Sequence, residues 1–325
     1  MAGNSQYLRK CGLVVFGASQ GPVAPGTQGP SGGGLDLSAL RIKFQIMQMD
    51  ADAPGTALIK VYNLSSNTSK KIQKEFQSVT LQAGYENGNY GVIFQGSIKQ
   101  TRRGRDNNTE TFLEIMASDL DEFYNFSTVS TTLKAGSSAK DQINAVVQAG
   151  AAQGASQGFI PSSLGTGGTL PRGKVLFGLG RDRLSDVAQS TQSSWSIVNG
   201  QVQFVNLTGY APGQAVVINS QSGLIGVPEA TINGVEATIL LNPFVKLGTR
   251  VQINNADVNQ TTVNSQGFPR FTDLTFPASV SEDGFYRVLV AEHRGDTWGQ
   301  EWYTDLTCLA LDPSAAPGSS VMAYG

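Results

Sequence analysis

Arg41-Ile42-Lys43-Phe44-Gln45-Ile46 alternates polar and apolar residues with a period of two, the pattern of a strand that buries one face. Ala57-Leu58-Ile59-Lys60-Val61-Tyr62 follows as a second strand. One short helix is predicted next, capped by the hydroxyls of Ser65 or Ser66 and striped by Ile72, Phe76 and Val79. Residues 79–85 and 91–100 then flank Glu86-Asn87-Gly88-Asn89, and Asn-Gly marks a hairpin because both central positions tolerate positive φ. Arg102-Arg103-Gly104-Arg105-Asp106-Asn107-Asn108 reads as the next turn, and residues 109–117 return as a strand. Several antiparallel strands and one helix in so short a stretch predict a small β-barrel or sandwich over residues 35–121.

Outward from that unit the pattern changes twice. Residues 122–205 read as an α/β insert. Ala139, Ile143, Val146, Val147 and Gly150 stripe a helix that Ser137 or Ser138 can cap, and residues 154–173 read as a loop. Residues 174–177 form a strand, and Leu184, Val187, Ala188 and Thr191 share a helix face. The clearest local signal is Trp195-Ser196-Ile197-Val198-Asn199-Gly200-Gln201-Val202-Gln203-Phe204, an Asn-Gly turn with alternating flanks. Residues 206–311 read as a second β unit, with strands at 235–241, 249–254, 285–292 and 301–310 and a long Asn/Thr/Gln/Pro-rich loop at 255–283. Residues 1–34 are expected to be a flexible segment, rich in Gly and Pro beyond the apolar run Leu13–Phe16, which reads as a strand that stands alone or pairs with something distant, and residues 312–325 a tail. The fold class is therefore β-rich α+β, two small antiparallel β-barrel domains flanking or interleaved with an α/β portion.

Composition narrows the function classes. The 325 residues carry 23 Lys or Arg against 25 Asp or Glu, a net charge of -2, and only 15% are charged. A near-neutral chain is a poor nucleic-acid binder unless its charge is segregated. No apolar run approaches the length that crosses a bilayer, nor that of a signal-peptide core, so no membrane insertion is expected. Two cysteines, Cys11 and Cys308, suggest neither a disulfide scaffold nor a zinc site. Low charge combined with many small polar residues suits a surface that is buried against partners, since charges are costly to desolvate at interface cores.

Motifs with chemical meaning are few. Gly17-Ala18-Ser19-Gln20-Gly21 has the G-x-S-x-G spacing of a nucleophile elbow, but Pro22 and Pro25 stand where the required helix would start. Phe177-Gly178-Leu179-Gly180-Arg181-Asp182-Arg183 starts like a dinucleotide fingerprint, yet Arg183 replaces the third glycine. His293 is the sole histidine, which removes His-paired relays and multi-His metal sites. Arg294-Gly295-Asp296 reads as a turn between two strands. The acidic clusters Asp50-Ala51-Asp52 and Asp119-Leu120-Asp121-Glu122 lack the calcium-loop pattern. No catalytic, cofactor-binding or metal-ligating residue is assigned, and no cofactor is expected. The one charge cluster is Arg102, Arg103 and Arg105, read either as a solvated hairpin tip or as guanidinium groups presented to an acidic partner or a passing phosphate backbone.

Beyond these single motifs, whole strings carry a resemblance. Ala57-Leu58-Ile59-Lys60-Val61-Tyr62-Asn63-Leu64-Ser65, Leu81-Gln82-Ala83-Gly84-Tyr85 and Ile93-Phe94-Gln95-Gly96-Ser97-Ile98 are similar to bacteriophage tail baseplate hub proteins of the contractile, Mu-like kind. So are Trp195-Ser196-Ile197-Val198-Asn199-Gly200, Ser222-Gly223-Leu224-Ile225-Gly226-Val227-Pro228-Glu229, Leu240-Leu241-Asn242-Pro243, Phe285-Tyr286-Arg287-Val288 and the run from His293 to Tyr303. The resemblance covers residues 35–311 and implies two barrels split by an α/β portion. It also implies a homotrimeric ring that joins the six-fold tail tube to a three-fold spike, without catalysis. Its implied partners are the tail tube protein, the central spike protein, and the baseplate wedge and tape-measure proteins, with DNA only in transit through the channel. The implied location is the virion tail baseplate, assembled in the host bacterial cytoplasm. On that reading Arg102, Arg103 and Arg105 contact a partner or the lumen. Two other functions follow from the tail context: a cell-wall hydrolase, and a receptor- or glycan-binding adhesin using the 255–283 loop.

Overall fold

A computed structural model describes residues 8–17, 34–165, 168–231, 234–254, 258 and 284–311. Most of the G-x-S-x-G motif, nearly all of the 255–283 loop and the 312–325 tail lie outside the described residues.

The first β unit takes in the apolar run Leu13–Phe16, whose partner is distant in sequence. β1 (Arg9–Phe16) buries Leu13, Val14, Val15 and Phe16, and it pairs along its whole length with a strand some seventy residues on. Residues 9–16 therefore contribute a core strand, because burying four consecutive apolar side chains is strongly favourable. β2 (Leu35–Asp36), β3 (Ile42–Met49) and β4 (Thr56–Tyr62) follow. β3 shows strict alternation of buried and exposed residues. α1 (Ser66–Glu75) starts where Ser65 Oγ accepts from Thr68 N at 3.0 Å. It stops at Phe76, already extended, so Val79 belongs to the next strand. β5 (Ser78–Tyr85), β6 (Tyr90–Arg105) and β7 (Thr111–Ser118) complete the unit. β6 is long enough to serve two neighbours, β5 up to Ser97 and β7 from Ser97 onward. In hydrogen-bonded order the strands run β3-β4-β7-β6-β5-β1-β2. β3 and β1 contribute to one core, which includes Phe44, Ile46, Leu13 and Val15 together with Ile72 of α1.

The insert has a core of its own. It contains α2 (Asp121–Phe126), β8 (Thr128–Leu133), α3 (Ala139–Ala149), β9 (Ser156–Gln157), β10 (Lys174–Leu179), α4 (Gly180–Ser190), β11 (Ser193–Val198) and β12 (Gln201–Asn206). Ser138 and Asp141 form a reciprocal capping box at α3. The β11–β12 turn has φ of 52° at Asn199 and 80° at Gly200, the pair of left-handed residues that an Asn-Gly hairpin predicts. Phe123, Ile143, Val146, Leu184, Trp195 and Phe204 pack together between the helices and the two small sheets.

The second β unit comprises β13 (Val216–Ile218), β14 (Leu224–Thr231), β15 (Gly234–Leu240), β16 (Arg250–Ile253), β17 (Phe285–Asp296) and β18 (Trp302–Ala310). Its path is β13-β16-β17-β18-β15-β14, with β13 and β16 parallel. Ile218, Ile239, Val251, Tyr286 and Leu306 share its core.

The two β units do not form separate sheets. β17 pairs with β16 through residues 285–287 and with β3 through residues 290–296, changing neighbours at a bulge near Leu289. That handover merges the β units into a single 13-stranded sheet wrapped round two cores. Among the described residues no hydrogen-bonded closure of either unit into a barrel is present. The physical reason is the length of β17: a twelve-residue strand reaches beyond its own unit, and the spare backbone groups of β3 satisfy it.

Candidate functional site

The three arginines singled out in the sequence do not sit on a hairpin tip. Arg102, Arg103 and Arg105 are the last residues of β6, and the turn falls at 106–110. Strand alternation separates their side chains. Arg102 lies opposite Glu114 and pairs with it at 2.7 Å, in a buried carboxylate also approached by Lys60 at 3.6 Å. Arg103 turns the other way and donates to Ser66 Oγ at 3.0 Å, at the N-terminus of α1. Arg105 is exposed. Two of the three are thus tied down locally, and the group does not converge on one point.

A second polar cluster crosses the β3–β17 seam. Arg41 pairs with Asp296 at 2.8 Å and Glu110 at 3.2 Å, and its guanidinium lies 4.5 Å from the Tyr62 ring. Tyr62 donates to Asp106 at 2.7 Å, and burial with that hydrogen bond pushes its hydroxyl up to about 12. Burial works to raise the Asp296 carboxyl, but the Arg41 hydrogen bond and the Trp298 and Gly299 N–H groups hold it below its ordinary value. The Arg294-Gly295-Asp296 tripeptide is therefore the end of a strand rather than a turn. Gly295 has no room for a side chain, since a Cβ there would lie 2.4 Å from Phe44 and 2.8 Å from Trp302.

The joint between the insert and the sheet was not read from the sequence. Arg287, 2% exposed, pairs with equally buried Asp50 from the first β unit. It also donates to Ser194 Oγ and, at 2.9 Å, to the Asn206 carbonyl of the insert. Asp52 accepts from Ser185 Oγ at 2.6 Å, which in turn accepts from Trp195 Nε1 at 3.1 Å. Asp119 accepts from Gly200 N at 2.9 Å. Burial raises its carboxyl to about 7, against the lowering effect of backbone N–H donors. The two acidic clusters visible in the sequence are thus latches for the insert. The missed signal was Arg287, a cation inside the apolar strand Phe285-Tyr286-Arg287-Val288.

His293 and Cys308 are buried, and Cys11 is partly buried. His293 is 1% exposed, its Nδ1 lies 2.9 Å from Thr304 Oγ1, and burial with nearby Lys246 lowers its pKa to about 4. Burial pushes the Cys11 and Cys308 thiols up to about 12. Among the described residues no group of three or more His, Cys, Asp or Glu is placed to hold a metal ion, and no helix is long and apolar enough to cross a membrane. Gly178 and Gly180 open a strand-to-helix turn.

No protein-family model matches the sequence, and no curated protein does. Solved structures do match. The 43 kDa tail protein of prophage MuSo2 from Shewanella oneidensis aligns over 95% of this chain and 99% of its own, with a TM-score of 0.56 at 7% identity. The chain has the fold of a phage tail protein. The tail protein from Neisseria meningitidis MC58 agrees over 94% of this chain and 97% of its own, with a TM-score of 0.53 at 10% identity. The E. coli c3393 protein, a type VI secretion component with structural similarity to the T4 tail proteins gp27 and gp5, matches over 84% of this chain and 74% of its own, with a TM-score of 0.50 at 6% identity. The phage-tail fold thus extends over all three units described above.

Proposed function

We propose that this chain is a structural subunit of a phage tail, the baseplate hub that joins a six-fold tube to a three-fold spike. The observation that carries it is the pairing of two β-rich units in one continuous sheet. The first has a path of seven strands and the second a path of six, each with a hydrophobic core of its own. Three copies of such a pair present six similar units to a hexameric tube while keeping three-fold symmetry for a spike. The tube and spike proteins are then its partners, with wedge and tape-measure proteins around them and DNA only in transit. Its place is the virion tail. No catalytic role is assigned.

The test is the mass of the purified chain, alone and mixed with its spike and tube proteins, followed by imaging of the complex. A three-copy ring that caps the tube is expected, and a strict monomer in every mixture overturns the proposal. Peptidoglycan turnover by the purified chain would instead favour the hydrolase, and selective glycan binding the adhesin.

A further inference from the structure

Charge is unevenly divided along this nearly neutral chain. Residues 1–118 carry twelve Lys or Arg against eight Asp or Glu, residues 119–205 six against six, and residues 206–311 five against ten. The first β unit is a cation and the second an anion.

Each excess has an exposed focus. α1 buries Ser69 and Ile72, and its outward side carries Lys70, Lys71 and Lys74. Their only ion pair among the described residues is Lys71 with Glu75, at 3.9 Å and more than half exposed, which contributes little. Arg103, bonded to Ser66, and exposed Arg105 extend this basic face from β6. On the second unit, Glu229 of β14 and Glu236 of β15 are exposed and stand directly opposite each other in the antiparallel register. Neither has a Lys or Arg partner among the described residues. Like charges facing across a ladder are destabilising, and a cation placed between them removes that cost. Exposed Ile225 and Val227 lie on the same strand, which gives the patch the apolar centre and charged margin of an interface.

The two foci lie toward opposite ends of the strand path: β14 is one edge of the 13-stranded sheet, while α1 leads into β5 near the other. We infer that the occupant of each is a second copy of this chain, with the lysine face of α1 seated on the Glu229–Glu236 pair of its neighbour. Such a contact is head-to-tail, and it closes into a ring when the rotation allows. The inference rests on the hub proposal and adds which surfaces meet and what holds them.

The experiment mixes light and isotopically heavy full-length chain and treats it with a zero-length carbodiimide, which joins only amines and carboxylates in contact. Mixed-isotope cross-links from Lys70, Lys71 or Lys74 to Glu229 or Glu236 are expected. Assembly is expected to weaken by about tenfold or more when salt is raised from low to near-molar concentration. Glu229→Lys with Glu236→Lys should abolish assembly, as should Lys70→Glu with Lys71→Glu and Lys74→Glu, while both sets in one chain restore it. All these positions are exposed, and an unchanged melting temperature confirms that the variants fold. A wild-type ring that survives both reversals overturns this inference and leaves the hub proposal standing. A lysine-face variant that assembles normally but loses nucleic-acid binding assigns that face to DNA and overturns the inference too. A wild-type chain monomeric in every mixture removes both.

Discussion

The two β units and the insert are attached by different kinds of bond. Between the β units runs a backbone ladder, seven residues of β17 against β3 from Val290↔Met49 to Asp296↔Lys43. No strand of the insert joins that 13-stranded sheet among the described residues. The insert is held instead by side chains, with Asp50 and Arg287 at Ser194 and Asn206, Asp52 at Ser185, and Asp119 at Gly200. A ladder spreads its strength over many groups and is insensitive to any one side chain. A set of pins concentrates it, so one substitution or one proton can loosen the insert while the β units remain a single body.

Removing the central pin should have the largest effect. Arg287→Ala leaves Asp50 buried without its partner, and a loss of about 3–5 kcal/mol is expected in denaturant unfolding. Hydrogen exchange should accelerate in β11 and α4 before β3 or β17, and adding Asp50→Asn should recover part of the loss. Uniform exchange across all three units would erase the distinction between ladder and pins.

The next effect is a pH dependence. The folded Asp119 carboxyl titrates near 7, above its ordinary 3.8, so the folded state favours the protonated form. Its contribution is fully present below the unfolded value and is lost as pH rises through the folded one. Between pH 5 and pH 8 the wild type should therefore lose roughly 2–3 kcal/mol that Asp119→Asn does not lose. Parallel pH profiles of the two proteins would contradict this.

Substitution in the ladder region should cost less. Gly295→Ala forces a methyl group against Phe44 and Trp302, and about 1–3 kcal/mol is expected from overpacking. The loss should appear as one cooperative transition of both β units, and a separate early transition would show that they are not one body. The smallest effect belongs to Arg102→Ala. Arg102 is 65% exposed beside Glu114, so a thermal melt should register about 0–1 kcal/mol.

The strands that alternate cleanly were legible because their local pattern and tertiary burial agree, as in Ile42–Met49 and the Asn199-Gly200 hairpin. The length of β6 was not, because Gly104 and three arginines look like a turn until Thr111–Ser118 supplies a partner ladder. Nor was the merging of two units into one sheet, since nothing near Val290 or Met49 announces a partner some 240 residues away. The pins were half legible. Asp50, Asp52 and Asp119 stood out as acidic clusters, but their partners Arg287, Ser185 and Gly200 are fixed only by the tertiary fold. The exposed ends of the charge division were on view throughout and needed the sheet order to be placed.

The seam also sets a timetable. Gln45 reaches its hydrogen-bond partner Glu292 only after 247 further residues have been made, which at ordinary synthesis rates takes about 12–50 s. During that interval the nascent first unit shows an open strand edge at β3, and a chain cut short before β17 keeps it for good. Truncated products are thus marked by an unsatisfied edge that full-length molecules lack, so incomplete subunits are distinguishable from finished ones before any ring is built.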